Sequence, residues 1–150
     1  MAIVEVKNLR KYFKAKYGMV HAVDDVSLAI DECKTLGVVG ESGCGKSTLG
    51  RTILRLEEAT SGEILFRGSN IQSLSKRAFK ALRPDMQMIF QDPFASLDPR
   101  MTTFQLIAEP LKIYHRTHSA AETDNVVDEL METVGIAKRY RDRKSTRLNS

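Results

Sequence analysis

Four residues of this chain stand at a spacing that handles phosphate. Gly40-Glu41-Ser42-Gly43-Cys44-Gly45-Lys46-Ser47 fits the pattern G-x-x-x-x-G-K-[ST], and Thr48 follows. Each position has a physical reason. Glycines adopt positive φ and carry no side chain to block a ligand. Successive backbone N–H groups can then converge on an anion. A helix beginning at the end of such a loop adds its positive pole. Lys46 would reach the β- and γ-phosphates of a nucleotide, Ser47 would give its hydroxyl oxygen to Mg²⁺, and Thr48 would add a phosphate contact. The plain alternative is a glycine turn that caps a helix, with Lys46 as surface charge.

The elements around the loop suit that chemistry. Thr35-Leu-Gly-Val-Val39 is a short continuous apolar run, as in a strand covered on both faces. After the glycines, Leu49, Ile53, Leu54 and Leu56 recur at helical spacing. The order is therefore strand, glycine loop, helix. Upstream, Ile3–Leu9 and Val26–Ile30 alternate as strands. Downstream, Ala59–Gly62 is a turn, Glu63–Arg67 a strand closed by Gly68, and Lys76–Leu82 a short helix. Met86–Phe90 reads as a strand ended by Asp92-Pro93, and Asp98-Pro99 as another turn. Thr103–Lys112 is helical until Pro110 bends or ends it. Ser119 and Glu122 form a capping-box pattern for a helix to Val134. Val126, Val127, Leu130, Met131 and Val134 are its core stripe, and Gly135 stops it.

The chain has 150 residues, 42% apolar and 28% charged, which is ordinary for one soluble domain with a real core. No apolar run approaches the roughly 20 residues that span a bilayer, and the first residues lack a signal-peptide core. Cys33 and Cys44 form no disulfide framework or metal spacing, which fits a reducing compartment. Cys44 lies at a helix start, where thiol pKa values fall, so its modification is expected to block the loop. His21, His115 and His118 read as surface residues. The net charge of +4 comes from basic residues scattered among acidic ones, so no nucleic-acid partner is expected.

The wording of residues 40 to 48, GESGCGKST, resembles the phosphate loop of ATP-binding-cassette proteins, above all the peptide and nickel importers. Thr60-Ser-Gly-Glu-Ile64 resembles them too. Met88-Ile-Phe-Gln-Asp-Pro93 with Ser96-Leu-Asp-Pro-Arg-Met-Thr102 is similar to the Q-loop region of the oligopeptide and dipeptide import ATPases. The likeness covers about residues 2 to 141. It implies an α/β P-loop NTPase fold: a RecA-like core, an antiparallel β subdomain and the start of a helical subdomain, truncated at the C-terminus. Residues 1–91 would hold the phosphate-loop core and β subdomain, and 92–141 the Q-loop exit and the first helical part.

The resemblance also assigns roles. The nucleotide would be ATP with Mg²⁺, held by Gly40, Glu41, Ser42, Gly43, Cys44, Gly45, Lys46, Ser47 and Thr48. Lys46 and Gln91 would be the catalytic positions, with Ser47 and Gln91 at the metal. Gln91 would also report nucleotide state to a membrane partner. Phe13 aligns with the aromatic that stacks on adenine; Tyr12 is the alternative, and neighbours in an extended chain face opposite ways. Asp92 is rejected as the magnesium carboxylate, because Gln87 and Gln91 interrupt its run and Pro93 follows at once. The implied partners are membrane permease subunits, a second ATP-binding subunit and, indirectly, a solute-binding protein, at the cytoplasmic face of the membrane. A soluble cassette protein acting on nucleic acid or ribosomes is the other reading of the same loop.

The family's LSGGQ-type signature, its apolar run ending in Asp-Glu and its switch histidine do not occur in these residues. The chain is therefore expected to bind nucleotide weakly without turnover. Asp142–Ser150 resembles nothing in the family and reads as the translation of a short-read library adapter, so an artefactual tail is expected there. Three basic residues and one acidic residue belong to it, half of the net charge.

Overall fold

Alternation of apolar and polar residues builds the first part of the molecule. In the computed structural model, which describes residues 1–92 and 96–144, strand β1 (Ala2–Ala15) and strand β2 (Gly18–Asp31) form a long antiparallel hairpin. β3 (Ser61–Phe66) pairs with the other edge of β1, and the two-residue β4 (Ser69–Asn70) pairs with β3. The sheet order is β2-β1-β3-β4. Register shifts interrupt β1 on both sides of Lys11, and Asn8 (φ 46) and Asp25 (φ 55) turn through the left-handed region. Bulges of this kind bend a strand and re-aim its side chains.

Against this sheet lie α1 (Lys46–Ile53) and α2 (Lys76–Leu82). Leu49 on α1 and Phe79 on α2 join Val6, Leu9, Val23, Ile64, Phe66, Ile71 and Met86 in one core. Thr52 is fully buried on α1 and returns its hydroxyl to the Thr48 carbonyl at 2.7 Å. Ser75 caps α2 through the Ala78 N–H. The chain divides after Met88 into two compact units, and these elements belong to the first.

The second unit, Ile89 onward, is helical. α3 (Thr103–Ile113) begins with a full capping box between Thr102 and Gln105. Pro110 does not end it, because the exposed ring removes one N–H and the helix still closes through Tyr114 N–H to the Pro110 carbonyl at 3.0 Å. α4 (Ala120–Thr133) is capped by Ser119, which accepts from the Glu122 N–H at 3.1 Å. The reciprocal bond expected of Glu122 goes instead to the His118 N–H, at 2.7 Å. Ala108, Val127 and Met131 are buried between α3 and α4. The apolar stripe is narrower than its sequence suggests: Leu130 and Val134 are 44% and 68% exposed, and Thr123 takes the buried position. Arg141 stacks on Phe104 and binds Asp124 and Asp128. The Arg143 carbonyl accepts from the Thr103 N–H at 2.9 Å, so the first residues of the expected tail are bonded to α3.

Two expected strands do not form. Thr35–Val39 is exposed throughout, with Val39 at 92%, and pairs with nothing among the described residues. Met86 is buried in the first core, but Gln87–Phe90 makes no ladder and Ile89 is 96% exposed. An inner parallel strand exists only when neighbours supply its ladder and its covering layers. The four strands described pair with one another and leave neither segment a partner. Pro93, within the expected turn and Q-loop wording, and the expected tail's Ser145–Ser150 lie outside the described residues.

Candidate functional site

The phosphate loop is built against the hairpin. Gly45, with φ 94, is the N-cap of α1, and a Cβ there would stand 2.0 Å from the Ala22 carbonyl oxygen on β2. No L side chain fits both that dihedral and that contact. Glycine at this position therefore lets the loop lie directly on the strand. No side chain caps α1, and its first turn carries no acidic residue. The leading N–H groups of a helix have no intrahelical acceptor, so the start of α1 is a donor-rich, positively polarised surface.

Lys46 folds over this surface. Its ammonium donates to the Gly40 carbonyl at 2.8 Å and the Glu41 carbonyl at 2.6 Å, with Cys44 Sγ at 3.5 Å. The cation is thus held at the mouth of the loop by backbone oxygens that an anionic oxygen could replace. Glu41, Ser42, Gly43 and Cys44 are exposed along the rim, and the Glu41 carbonyl also accepts the Cys44 N–H at 3.3 Å. Ser47 is exposed at the helix start and Thr48 is half-buried beside it. These donors fit a polyphosphate, and an exposed hydroxyl next to them fits a cation that bridges phosphate oxygens.

The two candidate aromatics separate clearly. Tyr12 pairs across the hairpin with His21, and the rings stack at 3.9 Å. Its hydroxyl donates to Asp24, whose other oxygen lies 3.4 Å from His21 Nδ1. That hydrogen bond raises the Tyr12 phenol above its ordinary value and lowers the Asp24 carboxyl. Phe13 pairs with Val20 in the same hairpin, half-exposed, in company with Lys11. Tyr12 is committed to protein partners, whereas Phe13 has a cation, Lys11 Nζ, 4.6 Å from its ring centroid.

Gln91 belongs to the second unit, exposed in an irregular stretch. A cavity of about 400 Å³ in the same unit is lined by Phe104, Lys112, Thr117, His118 and Asp124 among others. It includes no residue of the phosphate loop. Its polar groups are engaged locally: Thr117 with Thr123, Asp124 with Arg141.

Sequence reasoning missed the contacts around Lys11, next but one to Phe13. Lys11 and Glu57 form an ion pair at 3.4 Å, and Thr60 bonds β1 on both sides of Lys11. Thr60-Ser-Gly-Glu stood out only as family wording. The role of its glycine appears in the fold, where a Cβ on Gly62 (φ 97) would meet the Asn8 oxygen at 2.5 Å.

Comparison with known proteins gives these features a context. Residues 23–149 match the family model described as ABC transporter, a span that enters the expected tail. The chain is 49% identical over 142 residues to the oligopeptide transport ATP-binding protein OppF of Bacillus subtilis, covering 94% of this chain and 47% of that protein. It is 52% identical over 132 residues to the protein of the same name from Haemophilus influenzae, covering 88% and 40%. The chain thus spans about half the length of the curated relatives it matches. Among solved structures, a dimeric ATP-binding cassette, MJ0796, in a post-hydrolysis state with ADP and Pi superposes with a TM-score of 0.82. It has 26% identity, with 97% of this chain and 62% of that one covered. The α/β fold is accordingly that of the P-loop NTPases. With the family model matching most of its length, the chain belongs to the ABC transporter family.

Proposed function

We propose that this chain is the nucleotide-binding portion of an ATP-binding subunit that drives import of peptides, or of a similar solute, through a membrane permease. The observation that carries the reading is the Lys46 ammonium folded onto loop carbonyls at an uncapped helix start. A resting cation at a site rich in N–H donors is what an anionic polyphosphate needs. Gly40 through Thr48 form the cradle, Lys46 and Ser47 face the terminal phosphates and Mg²⁺, and Phe13 offers its ring to adenine. Mg²⁺, when bound, neutralises charge on the phosphate oxygens. Gln91 is the residue that would approach the metal and the attacking water in the assembled subunit. Identity of 40 to 52% with oligopeptide transport ATP-binding proteins supports the peptide branch.

Permease subunits, a second ATP-binding subunit and, through the permease, a solute-binding protein are the partners of this reading. The place of work is the cytoplasmic face of the membrane. Among the described residues no helix is long and apolar enough to cross a membrane. These residues carry no LSGGQ-type segment and no apolar run ending in Asp-Glu, so the chain by itself binds nucleotide weakly and does not turn it over.

Nucleotide titration tests the core of this. Wild type should bind MgATP, and Lys46→Ala should weaken it by roughly ten- to a hundredfold, the worth of charge-assisted hydrogen bonds to phosphate. Equal affinity in the two proteins would refute the loop assignment.

A further inference from the structure

A cation sits on the Phe13 ring. Lys11 Nζ lies 4.6 Å from the ring centroid. Its side chain is only 12% exposed, and Glu57 holds the same ammonium at 3.4 Å. A lysine this covered is expensive to desolvate unless it is paired. On a strand it would ordinarily extend into water. Here it lies over Phe13, two residues along the same strand, in a stretch where register shifts flank Lys11.

The turn that supplies Glu57 also grips the backbone. Glu57 follows α1, and its N–H donates to the Arg51 carbonyl at 3.3 Å. Thr60 donates its N–H to the Arg10 carbonyl at 2.8 Å and accepts the Tyr12 N–H on its hydroxyl at 2.9 Å. Gly62 lets this turn approach β1 closely. Residues 57–62 therefore clamp the stretch that carries Lys11 and Phe13, through one ion pair and two hydrogen bonds.

We propose that Lys11, seated by Glu57, is a positioning residue for base recognition, fixing the Phe13 ring so that a purine base stacks on the face the ammonium leaves open. The proposal rests on the reading of Phe13 as the base-stacking aromatic. A cation within about 6 Å of an aromatic face is attracted by the ring quadrupole, and a ring held in advance loses less freedom when a ligand docks. Lys11 then contributes to affinity for the base and not to affinity for phosphate.

Titrations of the whole chain with ATP and with tripolyphosphate, both with Mg²⁺, separate the two. Lys11→Met should weaken ATP about fivefold and leave tripolyphosphate within about twofold. Lys11→Arg, which keeps a cation over the ring, should restore ATP affinity. Glu57→Gln, which leaves both partners' stems in place, should weaken ATP about twofold and serves if Lys11→Met folds poorly. Added to Phe13→Ala, Lys11→Met should cost nothing more. If Phe13→Ala weakens ATP while Lys11→Met and Glu57→Gln do not, Lys11 has no positioning role. If Lys11→Met weakens tripolyphosphate as much as ATP, Lys11 acts as a general attractor of anions and the proposal is overturned. If Phe13→Ala itself leaves ATP affinity unchanged, the stacking role of Phe13 falls first, and this inference with it.

Discussion

At the scale of single residues, the hairpin sorts two neighbouring aromatics by what each is bonded to. Tyr12 shares a proton-donating bond with Asp24, and this shifts both groups in opposite directions. The Asp24 carboxyl lies below its ordinary 3.8, so its contribution to the folded hairpin is present above that value and is lost as pH falls through the lowered one. The Tyr12 phenol lies above 10.0, so its contribution is present below that value and is lost as pH rises through the raised one. Tyr12→Phe should therefore move the Asp24 carboxyl resonance titration upward toward the ordinary range. An unchanged midpoint would mean that the Tyr12 hydroxyl does not hold Asp24. Cys44 invites a second test. Its sulfur lies on the rim beside Lys46 and is exposed. Alkylation of Cys44 should suppress ATP binding, whereas alkylation of Cys33 should not. A Cys44-modified chain with wild-type ATP affinity would remove the thiol from the site.

At the scale of elements, the glycine loop lies directly on a strand at Gly45. Gly45→Ala places a methyl group against the Ala22 carbonyl and strains a left-handed dihedral, at a cost of about 1–3 kcal/mol. ATP affinity should fall by about tenfold or more, and the melting temperature should drop with it. A variant with wild-type values for both would contradict the close approach of loop and strand. Ser119→Ala should cost about 1 kcal/mol by leaving the Glu122 N–H uncapped, read as a lower melting temperature for the helical unit. The sequence revealed some of these elements and hid others, for physical reasons. Lys76–Leu82 forms the short helix expected of it, and the helix after Ser119 was legible because its cap is a local signal. The helix after the glycines was legible because its apolar spacing and the glycine before it are local signals. Thr35–Val39 misled because apolar content marks burial only when neighbours exist to bury it. The Lys11–Glu57 pair was invisible because bulges defeat period-two counting and the partners are far apart along the chain.

At the scale of the whole molecule, two compact units each carry their own apolar cluster. The exposed segment before the phosphate loop and the exposed Ile89 leave apolar surface uncovered. Thermal unfolding should therefore depart from one reversible two-state transition, with calorimetric and van't Hoff enthalpies that disagree. Coincident values would contradict this. Sequencing the source gene past the codon for Arg141 tests the expected tail. Continuation into an LSGGQ-type segment, in place of Asp142–Ser150, would identify those residues as foreign; the same nine residues in genomic DNA would make them native. The exposed stretch from Thr35 to Val39, in no ladder among the described residues, has one more consequence, for a chain that has been cut. Exposed, unladdered backbone is where a protease gains purchase. A nick there would part the hairpin from the phosphate loop covalently. It would leave β1 paired with β3, and Thr60 still bonded to Arg10 and Tyr12. The two pieces should then travel together under native conditions and separate only in denaturant, as a self-complementing pair.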